Sequence, residues 1–250
     1  MRARAPQQWS PADLPQLLSP PRFGRYLSAA GSAERAADLY AWNGRLSAAV
    51  HEELGMLEIV LRNALDRQLV KYHQIALHGD GRWYAEPRMP WQSARMIDQI
   101  KRARAQATGN GRFPELPGKV IAELTFGFWR YILAAPYQST LWAPALRHAF
   151  PCLRPAQRAT VYHLVDRLNS VRNRVAHHEP IHCLNIAARH KDVLLAASWI
   201  DPAAAAWIAE TSRVTTVLAT RPGAPATLVP PLAGENNQLY PPKSRLIRNS

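Results

Sequence analysis

The first half of the chain contains a stripe of apolar residues that recur at intervals of three or four positions. The members of this stripe are Leu46, Val50, Leu54, Leu57, Leu61, Leu65 and Leu69. Because an α-helix turns once about every 3.6 residues, this spacing places them on one face and predicts that the face is buried. The helical region is expected to run from Ser32 to about Ala76, with a bend at Asn43–Gly44.

The rest of the chain also has helical spacing, and no two alternating segments are joined by a hairpin turn. We therefore predict an all-α fold in which the helix at 44–76 packs against a helix at about 155–178. The remaining helices are expected at about 92–107, 117–134, 139–150, 183–199 and 202–218. The aromatic residues near 126–142 are expected to pack in the core rather than to stack on bases.

The predicted organisation has three parts, and a chain of 250 residues that is 47% hydrophobic can bury a sizeable core. A short N-terminal helical appendage is expected at 1–31, where Gly31 ends the second of two short helices. The main helical domain is expected at 32–220. Repeated prolines without periodicity predict a flexible, basic, proline-rich tail at 221–250.

The charge balance predicts a polyanionic partner. Lys and Arg number 31 against 18 acidic residues, which gives a net charge of +13, and nucleic acid is the favoured partner. The apolar runs are shorter than the roughly 20 residues that a membrane span needs, and no apolar signal segment follows Met1. These features predict a cytoplasmic protein without membrane attachment. Cys152 and Cys183 lack the spacing of a disulfide framework or of a cysteine-only zinc site.

The region 92–119 is a candidate phosphate-binding strip, because it carries six Lys or Arg residues against two acidic ones. A solvated helix face explains this pattern nearly as well. The residues predicted to bind RNA are Arg95, Lys101, Arg102 and Arg104.

The segment 171–180, VRNRVAHHEP, is the strongest candidate for a functional site. It ends a predicted helix on which polar residues recur beside the apolar face, namely Asp166, Asn169, Asn173 and His177. Pro180 disfavours helical geometry at the residue before it, so His177 and His178 are expected in the last turn. There the negative end of the helix dipole favours a charged imidazolium that can exchange protons near neutral pH.

Arg172 and His177 are separated by about 140° around an ideal helix, so one helix does not bring them together on one atom. A twofold dimer would place two copies of each side chain in one cleft, which makes a homodimer part of the prediction. On the opposing helix, Glu58 and Arg62 are spaced four apart and are followed by Asn63.

The segment RNRVAHHEPI resembles the C-terminal motif of the Abi-like (abortive infection) family, a branch of the HEPN ribonuclease superfamily whose hallmark is Arg, four to six residues, then His. Four other segments resemble the family's helices and follow one another in the same order, namely AWNGRLSAAV, EIVLRNALD, FGFWRYIL and LWAPALRHAFP. The likeness therefore covers about residues 30–220. The resemblance implies a HEPN-like helical bundle and a toxin or phage-defence ribonuclease that needs no metal and no cofactor. Such a ribonuclease would cut RNA by attack of the 2′-hydroxyl, which would leave 2′,3′-cyclic phosphate and 5′-hydroxyl ends.

The resemblance also assigns roles to residues of this chain. His177 would move the proton, Arg172 would stabilise the phosphate charge, and Asn173 would orient His177 or the substrate. His178 would assist, and Glu58, Arg62 and Asn63 are weaker candidates for the opposing wall of the cleft. Since an unregulated ribonuclease is toxic, we expect low intrinsic activity or an antitoxin protein as a partner.

The sequence is also compatible with three other interpretations of the motif and of the protein. The motif residues could form a structural network in which Arg172 pairs with Glu58 and His177 caps carbonyl groups. The protein could be a non-catalytic RNA- or protein-binding helical module of a defence or toxin–antitoxin system. The least favoured alternative is a metal site, whose ligands would be His177, His178, His182, Cys183 and His190.

Overall fold

The computed structural model describes residues 9–91 and 93–223, which form helices and connecting loops without any strand. This confirms the predicted all-α class. The α-helices of this part of the chain are α1 (Leu14–Leu18), α2 (Pro20–Ala30), α3 (Ala33–Ala76), α4 (Ala94–Ala107), α5 (Pro117–Glu123), α6 (Phe126–Tyr131), α7 (Arg158–Ala176), α8 (Ile186–Ile200), α9 (Pro202–Thr211) and α10 (Val214–Ala219). Residues 1–8 of the predicted appendage and 224–250 of the predicted tail lie outside the described residues.

Helix α3 is the central element of the bundle. Gly31 ends α2 in a left-handed conformation with φ 83°, and the side chain of Ser32 then caps α3 by accepting a hydrogen bond from the Arg35 amide. The helix continues without interruption through Asn43 and Gly44, where the sequence predicted a bend, and spans about 66 Å over its 44 residues. Helices α2, α7, α8 and α10 all pack against it.

The predicted apolar stripe is the core face of α3. Each of its seven members, from Leu46 to Leu69, is at most 3% exposed. Burial of such a side chain stabilises the fold by roughly 1.5–3 kcal/mol. The aromatic side chains of α6 and of the segment after it are buried against the same core, as predicted, and these are Phe126, Phe128, Trp129 and Trp142.

Helix α2 belongs to the same core, because Phe23 and Tyr26 are buried in it. The end of the described chain also returns to α3. The indole N–H of Trp42 donates to the carbonyl oxygen of Val217 at 2.8 Å, and the guanidinium of Arg221 lies over the Trp42 ring. Both ends of the described chain therefore pack beside the first turns of α3.

Two predicted helices are each split in two. The helix predicted at 117–134 is interrupted at Leu124, because the side chain of Thr125 caps a new helix by accepting from the Phe128 amide. The helix predicted at 202–218 is interrupted at Ser212, whose hydroxyl oxygen accepts from the Val214 amide. Between these two halves, Arg213 forms an ion pair with Glu52 on α3 at 2.7 Å.

Two further predictions need correction. The segment 139–150 is not a regular α-helix. It forms a short π-helix at Gln138–Trp142 and a 3₁₀-helix at Leu146–Ala149. Helix α7 begins at Arg158, three residues later than the start predicted at about residue 155.

The loop after α3 is organised by His73, which is buried. Its Nδ1 accepts from the Gly81 amide at 3.0 Å, so its Nε2 carries the hydrogen that is donated to Glu86 at 3.2 Å. Glu86 also accepts hydrogen bonds from Arg88, and these bonds are the main cause that lowers the pKa of Glu86 to about 2. The loop is thus fixed by a network of three side chains.

No helix among the described residues is both long and apolar enough to cross a membrane.

Candidate functional site

The end of α7 determines where the two histidines of the motif lie. His177 closes the helix, and His178 has a left-handed backbone with φ 55°. The His178 amide donates to the Val175 carbonyl oxygen at 3.0 Å, and the Glu179 amide donates to the Arg174 carbonyl oxygen at 2.8 Å. This pair of bonds is a Schellman motif, in which His178 occupies the position usually taken by glycine.

A groove of about 570 Å³ opens between α2, α3 and the end of α7. It is lined by Arg22, Tyr26, Tyr40, Asn43, Gly44, Ser47, Ala48, His51, Val175, Ala176 and His178. The lining contains no carboxylate, whereas it contains one arginine and two histidines. Of the motif's two histidines, only His178 lies in the lining, and His51 on α3 is the second histidine of the groove.

Asn43 connects the groove to the loop that follows the motif. Its side chain is buried, with 6% exposed, and its Oδ1 accepts hydrogen bonds from the amides of Ile181 and His182, both at 2.9 Å. These two bonds hold the loop after α7 against α3. From the sequence, Asn43 was predicted only to take part in a bend. An apolar helix face that contains an Asn is the only signal in the sequence for this role.

Arg22 closes the groove from the side of α2. Its Nη1 donates to the carbonyl oxygen of His178 at 3.0 Å. This carbonyl lies two residues beyond the end of α7, in the loop that follows the helix. The bond to it holds Arg22 at the edge of the groove.

The packing of α3 against α7 brings Glu58 close to Arg172. Burial raises the pKa of Glu58, and the nearby positive charges of Arg172 and Arg62 oppose this rise, as does a hydrogen bond from the Phe126 amide. Arg172 forms no direct ion pair with an acidic residue in the described part of the chain. The Nε of Arg62 is buried and lacks a hydrogen-bond partner among the described residues.

The other residues of the predicted site are not brought into this cluster. Asn173 and His177 on α7 and Asn63 on α3 are exposed. His177 lies outside the lining of the groove, because the left-handed turn at His178 separates the directions of the two neighbouring side chains. Within one chain, the structure therefore groups Arg172 with Glu58 and Arg62, and His178 with His51 and Arg22.

The polar stripe that accompanies the motif has a structural role at its first position. Asp166 accepts from the guanidinium of Arg130 on α6 at 2.7 Å, and the same Nη1 donates to the Tyr162 hydroxyl at 3.0 Å. These bonds fix α6 to α7.

The four candidate RNA-binding residues on α4 differ in how exposed they are. Arg95, Lys101 and Arg102 are exposed. Arg104 instead forms an ion pair with Glu115 at 2.7 Å and is half-buried, which makes it the least available of the four for a phosphate.

The side chains of the alternative metal site have separate environments. His190 is paired with the buried Glu53 at 2.5 Å. His182 is packed on the ring of Tyr26, and burial lowers its pKa. Cys183 is exposed. Within residues 9–91 and 93–223, no group of three or more His, Cys, Asp or Glu side chains is arranged to hold a metal ion.

Together, the fold and the site define an all-α bundle with a groove, free of carboxylates, at the end of its motif-bearing helix. Comparison with known proteins found no matching family model, no matching curated protein and no matching solved structure.

Proposed function

We propose that the protein is a metal-independent endoribonuclease of the toxin or phage-defence type. The observation that carries this proposal is the groove at the end of the RNRVAHHEP helix, which combines His178, His51 and Arg22 without any carboxylate in its lining. Imidazoles can exchange protons near neutral pH, and a guanidinium attracts phosphate. The net charge of +13 supports RNA as the substrate.

The proposed reaction is an attack within the RNA. The 2′-oxygen bonds to the adjacent phosphorus, and the bond from phosphorus to the 5′-oxygen of the next nucleotide breaks. A base takes the proton of the 2′-hydroxyl, and an acid gives a proton to the departing 5′-oxygen. The products are a 2′,3′-cyclic phosphate and a 5′-hydroxyl end, so the reaction requires neither a metal nor another cofactor.

The proposed roles follow the motif. Arg172 stabilises the extra charge on the phosphate, His177 transfers a proton, and Asn173 orients His177 or the substrate. The position of His178 supports a larger part for it than assistance, because it lines the groove together with His51 and Arg22. Assistance by one positioned acid or base contributes about 10²–10⁴-fold to the rate.

We also propose that the active form is a twofold homodimer. In one chain, His177 is exposed and is separated from the groove. A second copy placed across α7 would bring its own Arg172 and His177 to the same cleft. An antitoxin protein that covers this cleft would restrain the activity.

The test is incubation of purified protein with single-stranded RNA and with DNA of the same sequence, both in excess EDTA. We expect RNA cleavage with cyclic phosphate ends, detected by ³¹P NMR, and no cleavage of DNA, which lacks the 2′-hydroxyl. Replacement of Arg172, His177 or His178 by Ala should lower the rate at least 100-fold.

The matched control is His163→Ala, which removes an exposed histidine from the same helix, about four turns before His177. Its cleavage rate should equal that of the wild type. Normal cleavage by folded Arg172→Ala and His177→Ala variants would show that the motif is structural. RNA binding without cleavage by the wild type would favour the non-catalytic binding module.

A further inference from the structure

The groove presents hydrogen-bond donors that the protein itself does not use. Asn43 is the clearest case. Because its Oδ1 accepts from two backbone amides, the orientation of the amide group is determined, and its Nδ2 must point away from the loop. No described residue accepts a hydrogen bond from this Nδ2, although the side chain is 94% buried and lines the groove.

Tyr26 is the second such group. It is 2% exposed, and its hydroxyl has no hydrogen-bond partner among the described residues, while the side chain lines the groove. Burial and the neighbouring Tyr40 raise the pKa of Tyr26 to about 12. The phenol therefore stays protonated and can donate a hydrogen bond at neutral pH.

Arg22 supplies a fixed positive charge beside these donors. The bond from its Nη1 to the His178 carbonyl oxygen orients the guanidinium, and no other described group accepts a hydrogen bond from its remaining N–H groups. An oriented side chain loses less conformational freedom when it binds a ligand. Its planar group also matches phosphate oxygens better than a lysine would.

The wall formed by α3 leaves space for a ligand. Gly44 lies in the lining, and an added Cβ at this position would meet no atom within 4 Å apart from its chain neighbours and the backbone of its own helix. Ala48 follows one turn later, and Ser47 and His51 flank the open space. The volume of about 570 Å³ lies within the range of small-molecule sites, which is roughly 300–1,000 Å³.

We propose that this groove binds the phosphate and ribose of a ribonucleotide, with Arg22, Asn43 and Tyr26 donating hydrogen bonds to its oxygens. The groove lining has donors and positive charge but no carboxylate, which is the chemistry that an anionic, oxygen-rich ligand needs. The assignment of this nucleotide to an RNA chain depends on the proposed ribonuclease function. The binding itself does not depend on cleavage.

The test is isothermal titration calorimetry at low salt with three probes that the reaction cannot cut: uridine 3′-monophosphate, a 2′-O-methyl RNA hexamer and inorganic phosphate. We expect saturable binding of the first two and at least tenfold weaker binding of inorganic phosphate. Asn43→Asp is the sharpest variant, because its Oδ1 can still accept from Ile181 and His182 while a negative oxygen replaces the Nδ2 donor. We expect at least a tenfold loss of affinity for the mononucleotide.

Arg22→Gln provides a second variant that leaves Asn43 intact, and its affinity should also fall about tenfold. The matched control is Arg25→Gln, which removes the same charge from an exposed position of α2 outside the groove and should bind like the wild type.

The proposal is overturned if none of the probes binds saturably, if inorganic phosphate binds as tightly as the mononucleotide, or if folded Asn43→Asp and Arg22→Gln both keep wild-type affinity. Because no probe is cleavable, failure of the ribonuclease proposal leaves this measurement unaffected. A preference for the hexamer over the mononucleotide identifies an RNA chain as the source of the phosphate, whereas equal affinity identifies a free nucleotide.

Discussion

Arg22 and His178 are separated by 156 positions in the sequence, yet the guanidinium of the first donates to the carbonyl oxygen of the second at 3.0 Å. This bond joins α2 to the end of α7 and closes one side of the groove. The candidate site therefore depends on the N-terminal helices as much as on the motif.

The left-handed backbone at His178 predicts that one variant gains stability while it loses RNA cleavage. A left-handed conformation costs a non-glycine residue about 1–2 kcal/mol, so His178→Gly should raise the free energy of unfolding by about 1 kcal/mol. The same variant should lose RNA cleavage, because it removes a groove imidazole. Urea denaturation and the EDTA cleavage assay measure the two effects. His177→Gly is the control: its backbone φ is −94°, so no gain in stability is expected.

Asn43 is expected to be essential for the loop that follows the motif. Asn43→Ala leaves the buried amides of Ile181 and His182 without an acceptor, which should lower the free energy of unfolding by about 2–5 kcal/mol. Asn43→Asp keeps the acceptor and should cost much less. Urea denaturation of both variants tests this difference, and equal losses for the two would contradict the assigned bonds.

The network around Glu86 predicts a loss of stability in acid. The pKa of Glu86 falls from its usual 4.5 to about 2 in the folded protein, mainly through hydrogen bonds from Arg88. The folded state thus favours the ionised form, and this contribution is fully present above about pH 4.5 and is lost as the pH falls towards 2. The melting temperature of the wild type should exceed that of Glu86→Gln at pH 7. The two should converge near pH 2, and a constant difference would argue against this origin.

Two glycines should respond to alanine in opposite directions. A Cβ at Gly79 would overlap the ring of His73, so Gly79→Ala should cost about 1–3 kcal/mol of stability. Gly55 lies inside α3 with no atom within 4 Å of the added Cβ, and Gly55→Ala should stabilise by about 0.5–1 kcal/mol. Thermal and urea denaturation of the pair provide the comparison.

The proposed homodimer makes a simple prediction about mass. Light scattering at micromolar concentration should give twice the mass of one chain. A charge placed on the exposed face of α7, as in Asn173→Glu, should weaken the dimer and the cleavage together. A strict monomer that still cuts RNA would show that one copy of the site is sufficient.

The sequence predicted those features of the fold that depend on local spacing. The leucine stripe of α3 is visible in the sequence because a helix repeats every few residues, and Gly31 marks a boundary through its own conformational freedom. The break at Thr125 was missed although Thr is a common N-cap, since the apolar run around it masked the signal.

The arrangement of the candidate site was less predictable. The proximity of Glu58 to the charge of Arg172 was expected from two facing polar stripes. The roles of Asn43 and Arg22 were not, because each bonds to a residue more than 130 positions away and no local pattern reports such a contact. The place of His178 in the groove lining follows a left-handed turn that histidine adopts rarely.

The distance in sequence between Arg22, Asn43 and His178 also affects how the protein is made. A chain that is still being synthesised carries α2 and α3 long before α7 exists, and the third wall of the groove is added only after residue 178 has left the ribosome. Such non-local closure is slow compared with the formation of single helices. A growing chain therefore cannot bind in this groove until residue 178 has been translated and has left the ribosome. The groove is therefore complete only once α7 has joined α2 and α3, and no shorter nascent chain presents all of its walls.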